Sequence, residues 1–148
     1  MSALFSPIVI NSMTVKNRFF MAPMGLHYTP DGFVNERLIA FFRERARGGV
    51  GLIDVGGCRI HELAGGASFI GIDGDVYIDG LARLTAAVHA EGAKIIAQLY
   101  HPGSSIHATM LPGKRTISSS EVRSDFSGQV PRALLREEIP WVQGHFVE

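Results

Sequence analysis

Short continuous apolar runs alternate along this chain with segments whose apolar residues recur at helical spacing, and that alternation restricts the fold more than any other feature. Phe19-Phe20-Met21-Ala22, ended by Pro23, reads as a strand buried on both faces. Asn35 caps a helix running to about Arg47, with Leu38, Phe41 and Phe42 as its apolar stripe and Gly48-Gly49 as its stop. Val50 to Val55 reads as a second buried strand, closed by Gly56-Gly57. Residues 59–75 form a Gly-rich connection without clear periodicity. Ile78, Leu81, Leu84 and Val88 then fall on one helix face, with Asp79 near the start and Gly92 past the end. Lys94 to Tyr100 is the third strand. Ahead of this series, Ile8-Val9-Ile10 and Met13-Thr14-Val15 flank Asn11-Ser12 as a hairpin. Behind it, a loop rich in Gly, Ser and Pro runs from His101 to about Val130. A further helix begins near Glu137, with Pro140 in its first turn.

The order β-α-β-α-β predicts an α/β fold with a parallel sheet and right-handed crossovers. An open dinucleotide-binding sheet would place G-x-G-x-x-G after its first strand. Here Pro23-Met24-Gly25-Leu26-His27 follows that strand, and Gly48-Gly49-Val50-Gly51 precedes a strand instead. The prediction is therefore the N-terminal part of a (β/α)₈ TIM barrel: the hairpin, β-α-β-α-β and the start of the third helix. Such a barrel takes roughly 250 residues, and the chain has 148, so the barrel is expected to be incomplete, with residues 1–148 one segment of a single domain. A bare third-strand edge would invite aggregation. The remaining C-terminal part of the barrel is the expected partner.

Fourteen basic residues balance fourteen acidic ones, which argues against a nucleic-acid partner. The cluster Arg43-Glu44-Arg45-Ala46-Arg47 is a solvated helix face whose positive charge suits a helix C-terminus. Cys58 is the single cysteine, so no disulfide or C-x-x-C motif exists within the chain. The N-terminus lacks leader character, and no run approaches the ~20 apolar residues that cross a bilayer. A cytoplasmic protein without membrane partners is expected.

In a parallel barrel, reactive groups gather at the C-terminal ends of the strands. Three ends are available: Ala22 to Tyr28, Val55-Gly56-Gly57-Cys58, and Ala97 to Gly103. Asn17-Arg18-Phe19-Phe20-Met21-Ala22-Pro23-Met24-Gly25 resembles the N-R-x-x-M-A-P-M-G opening of the old yellow enzyme / NADH:flavin oxidoreductase family, nearest its 2,4-dienoyl-CoA reductase branch. Gly48 to Ile53 is similar to that family's second strand. Gln98-Leu99-Tyr100-His101-Pro102-Gly103 is similar to its Q-L-x-H-x-G motif, and Pro131-Arg132 with Glu137-Glu138-Ile139 to the stretch before its third helix. The four matches run in order over nearly the whole chain.

The resemblance implies an FMN-binding barrel. The backbone at Pro23, Met24 and Gly25 would lie along the flavin's N5 and O4 edge, Gly57 would let the second strand approach the ring, and Gln98 would hydrogen-bond its pyrimidine edge. The chemistry agrees. A carboxamide offers both donor and acceptor, glycine has no side chain to block a flat ring, and preorganised amides stabilise charge. Read on pattern alone, Gln98 satisfies another buried polar group, Gly56-Gly57 is a tight turn, and Met24 fills core. His27, Tyr28 and Tyr100 are expected to line the substrate pocket, and His101 to anchor its loop. His61-Glu62 lacks the second histidine of a zinc motif, His101 and His107 make no metal set, and His89 is ordinary.

Three departures stand out: Gly25 where many relatives carry a flavin-tuning Thr or Cys, Ser104 where Arg is common, and Gly56 where Glu is common. The family's substrate-binding histidine pair or His/Asn pair, general acid and phosphate loops lie beyond residue 148, so the catalytic residues are expected there. The branch's iron–sulfur cluster and FAD also belong to later parts, and this segment ligates neither.

The implied activity is hydride transfer from NADH or NADPH, through FMN, to an activated alkene such as an enoate or an enoyl or dienoyl thioester. The alternatives are a flavin-dependent N-methylamine dehydrogenase of the same family, and a non-catalytic half-barrel module or truncated fragment. A homo-oligomer is expected, and the isolated segment is expected to be inactive.

Overall fold

A computed structural model describes residues 3–111 and 113–147. Met1 and Ser2, part of the start read above as leaderless, and Pro112 of the long loop lie outside the described residues. The hairpin pairs β1 (Ile8–Ile10) with β2 (Met13–Val15) antiparallel. Asn11 takes the left-handed backbone its turn requires, at φ 54°.

A parallel sheet carries the fold. Its central strand, β4 (Leu52–Arg59), is flanked at its lower end by β3 (Phe20–Met21) and along its length by β6 (Lys94–Tyr100). The two-residue β5 (Ile70–Gly71) pairs with Cys58 and Arg59. Cys58 already pairs with Leu99 of β6, so β5 occupies the edge that β3 leaves.

Helices α1 (Glu36–Arg47) and α2 (Ile78–Ala90) lie against one face. Asn35 caps α1 as its sequence position predicts: Oδ1 accepts from Leu38 N at 3.0 Å, and Nδ2 donates to Tyr28 O at 2.7 Å. Gly49 ends the turn at φ 101°. Leu38, Ile39, Phe42 and Ala46 of α1 meet Leu84 and Val88 of α2 over Ile53, Val55 and Cys58 of β4, one continuous core.

Asn17 explains the start of the first motif. Its Nδ2 donates to Gly49 O at 2.7 Å and its Oδ1 accepts from Phe19 N at 3.1 Å, tying the entry of β3 to the loop that launches β4. A Cβ on Gly51 would lie 2.5 Å from that Oδ1, so glycine leaves the space the asparagine uses.

Four expectations need correction. The first strand is shorter than predicted and is not buried on both faces, because Phe20 is 54% exposed beside an unpaired edge of β3. The second strand does not close at Gly56-Gly57. It runs through both glycines to Arg59, with a register shift between Val55 and Cys58. The stretch after it holds a strand, β5, and a buried ion pair. Finally, the long loop carries a short parallel pair, β7 (Ile117–Ser118) with β8 (Arg132–Ala133). As expected, a helix, α3 (Ile139–Gly144), follows with Pro140 in its first turn.

Candidate active site

The register shift sets the geometry of the strand ends. Val55 faces Ala97, but three residues later Cys58 faces Leu99, so β4 carries one residue more than β6 over this stretch. The extra residue brings both glycines against neighbouring side chains. A Cβ on Gly56 would meet Gln98 Oε1 at 2.6 Å, Gln98 Cβ at 2.7 Å and Pro23 Cβ at 2.8 Å. One on Gly57 would meet the Tyr100 ring at 2.6 Å. Close approach, not a turn, is what requires glycine here.

A cleft of about 380 Å³ opens over these ends. Its floor is Gly25, Gly57, Gln98 and Tyr100, from the segment after β3 and from the ends of β4 and β6. His27, Phe69, Pro102, Ser105, Ile106, His107, Met110 and Phe126 complete it. Met24 is 48% exposed and lines a small recess beside the cleft, while Pro23 packs near Gly56 and Gln98.

Tyr28, expected in the pocket, lines the recess beside the cleft with Met24, Gly25 and His27. It also packs edge-on against Phe41 of α1, with Arg37 3.8 Å above its ring. His27 takes a left-handed backbone, φ 51°. Such a conformation costs a non-glycine residue of order 1–3 kcal/mol and collects at functional sites.

Sequence pattern missed Ser68 and Phe69. Ser68 Oγ lies 3.3 Å from His27 Nδ1, and the Phe69 ring is edge-on to His27 and stacked on Tyr100 at 5.2 Å. Arg59 holds that loop. Its guanidinium donates to both Asp73 carboxylate oxygens (2.9–3.2 Å), to Gly66 O at 3.0 Å and to Tyr77 Oη at 2.6 Å. No motif pointed to Phe69, His107, Met110 or Phe126, which reach the cleft from aperiodic loops.

Cys58 is no nucleophile. Burial, with the Asp54 carboxylate adding to it, pushes its thiol up to about 12, and its Sγ donates to Val55 O.

His101 anchors its loop, accepting from Gly103 N at 3.1 Å. Nearby, His61 packs against Trp141 and His145, its ring 4.3 Å from that of His145. Burial lowers the pKa of both His61 and His101, and neighbouring imidazole charge lowers them further. For His61, Lys114 adds to this and Glu62 and Asp73 oppose it. The unfolded chain then binds more protons below about pH 6.5. Stability is therefore expected to hold above that pH and to fall as pH drops through the folded values. Trp141 is the single tryptophan, so its fluorescence in denaturant titrations at a series of pH values reads this directly. A constant unfolding midpoint down to about pH 5 would contradict it. Among the described residues no group of His, Cys, Asp or Glu is arranged to hold a metal ion.

The profile of the NADH:flavin oxidoreductase / NADH oxidase family matches residues 3–148. The chain belongs to that family. It is 45% identical over 148 residues to a metal reductase of Desulforamulus reducens, covering all of this chain and 22% of that protein. Morphinone reductase in complex with tetrahydroNAD superposes with a TM-score of 0.86 at 27% identity, over 99% of this chain and 44% of that one. 2-Naphthoyl-CoA reductase superposes with 0.86 at 30% identity, over 98% and 24%. The chain thus spans less than half the length of each, and its α/β architecture is the opening of their barrel fold.

The site suits a flavin. No hydrogen bond within the described residues engages the Gln98 carboxamide, which stands half-buried at the cleft. A half-buried amide without a protein partner awaits a ligand or water. Gly25 and Gly57 leave the neighbouring strand ends open to a flat ring.

Proposed function

We propose that residues 1–148 are the N-terminal segment of a single FMN-binding barrel domain, and that the protein passes hydride from NADH or NADPH to an activated alkene, such as an enoate or an enoyl or dienoyl thioester. The observation that carries this reading is the convergence on one cleft of Gly25 from beyond β3, Gly57 of β4 and Gln98 of β6, with the Gln98 carboxamide unpartnered among the described residues. The 2-naphthoyl-CoA and tetrahydroNAD named for the two similar structures support a conjugated thioester and a nicotinamide donor.

FMN would supply the hydride chemistry itself. The residues here bind and orient. Gln98 would offer a donor and an acceptor to the pyrimidine edge. Backbone at Pro23, Met24 and Gly25 would line the flavin's reactive edge, and Gly57 would admit the ring. Tyr100 and Phe69, stacked, would keep water from one side of the cleft.

The test is spectroscopic. The protein purified from its source is expected to be yellow, to release FMN on denaturation, and to bleach anaerobically with NADH or NADPH. Cyclohex-2-enone should restore the colour. The 148-residue chain alone is expected to bind FMN weakly and reduce nothing. A colourless protein that takes up no FMN would overturn the reading.

A further inference from the structure

We propose that the Asp54 carboxyl, on the inner face of the sheet one level beneath the Gln98 carboxamide, takes up a proton when a flavin bound above it is reduced. The flavin's reduction potential then follows pH through this residue. The inference rests on the reading of the cleft as a flavin site.

Strand alternation places the carboxyl. Ile53 and Val55 of β4 point into the helix-covered layer, so Asp54 between them points to the opposite face, the one that becomes the barrel interior. In register it faces Ile96 of β6, and Gln98 follows two residues later on that same face. Two residues span about 6–7 Å of parallel strand. Asp54 therefore lies beneath the cleft lining, under the side chain that would hold the pyrimidine edge.

Its surroundings leave it without a partner. Asp54 Oδ1 is shut off from solvent and accepts no hydrogen bond among the described residues. β3 brings Phe20 to this face, opposite Leu52, and no charge. Along β4, the Cys58 thiol feels the carboxylate but stays protonated in its own buried place. β6 brings Lys94, opposite Leu52 and one level lower, which makes no ion pair with Asp54. Burial raises the carboxyl above its ordinary range. A closed barrel fills this face with side chains, and an unpaired carboxyl shut away from water favours its neutral form.

Hydride transfer supplies the charge that draws the proton. The C4–H bond of the dihydronicotinamide breaks, an N5–H bond forms, and the nicotinamide leaves oxidised. A neutral ring that gains a hydride becomes an anion, and its charge gathers on the pyrimidine side, towards Gln98. Negative charge close above a carboxylate favours the acid, so Asp54 takes a proton from solvent and the two groups titrate as a pair. Reduction then consumes two electrons and two protons with Asp54, and two electrons and one proton without it.

The test uses the FMN-loaded, full-length protein, with redox titrations at a series of pH values for wild type and Asp54→Asn. Where the carboxyl titrates, the wild-type potential is expected to fall with pH about twice as steeply as that of Asp54→Asn, the effect of one further proton per two electrons. A side chain that merely packs would leave the slopes equal. The reduced-minus-oxidised infrared spectrum of wild type should gain the band of a protonated carboxyl, moved by carbon-13 aspartate and missing in Asp54→Asn. Should that variant not fold, the labelled wild-type spectrum decides. Equal slopes in yellow wild type and variant, or a carboxyl whose protonation is the same in both redox states, overturn the role of Asp54 and leave the proposed function standing. A protein that takes up no FMN overturns that function, and this inference with it.

Discussion

Replacing Arg59 by alanine is expected to destabilise the fold by about 3–5 kcal/mol, the usual cost of breaking a buried ion pair from one side. The Arg59 side chain is 10% exposed and that of Asp73 17%, so little solvent is available to compensate the carboxylate left behind. The same change strips donors from Gly66 O and Tyr77 Oη. Arg59→Lys should recover little, because one ammonium cannot reproduce the forked contact with Asp73. Thermal unfolding measures the cost. Hydrogen exchange should show residues 66–77 opening first, which would free Ser68 and Phe69 from His27. An alanine variant that melts with wild type would show that the loop holds itself.

Gly56→Ala should damage the cleft from the opposite side. The new methyl would lie 2.7 Å from Gln98 Cβ and 2.8 Å from Pro23 Cβ, atoms close to the backbone that cannot swing aside. Either β3 or β6 must then separate from β4. Overpacking of this kind costs about 1–3 kcal/mol. FMN binding should weaken about tenfold beyond that, as the carboxamide of Gln98 loses its place. Equilibrium dialysis against FMN, alongside a thermal melt, separates the two effects. Unchanged affinity in a folded variant would remove Gln98 from the flavin site.

Much of this was legible in the chain because the relevant signals are local. Asn35 caps α1 and Gly49 ends it through contacts within a few residues, and Lys94–Tyr100 announces itself by the apolar residues Ile95-Ile96-Ala97 and Leu99-Tyr100 just past Gly92. The position of the cleft followed from a rule about parallel strands that needs only their order. Gly56-Gly57 misled because paired glycines usually mark turns. Here they accommodate Gln98 and Tyr100, partners some forty residues away. Tyr28 shares the recess beside the cleft with His27 but also packs on Phe41, a contact its sequence position did not announce. The cleft's outer wall was illegible for a different reason. Phe69, His107, Met110 and Phe126 come from segments without periodicity, and only the Arg59 clamp and the long loop's path bring them together.

The single additional residue in β4 has a consequence for how this segment tolerates length changes. Ahead of it, Ile53 and Val55 point into the helix-covered layer, and after it Cys58, not position 57, rejoins them. Deleting one glycine would restore strict alternation with Cys58 two residues after Val55, so Cys58 would stay in that layer and Arg59 outside it, while the close approach to Gln98 and Tyr100 would be lost. The spare residue shapes the cleft without being needed by the layer beneath, so a lost codon at 56 or 57 should impair what the cleft holds more than it lowers the melting temperature.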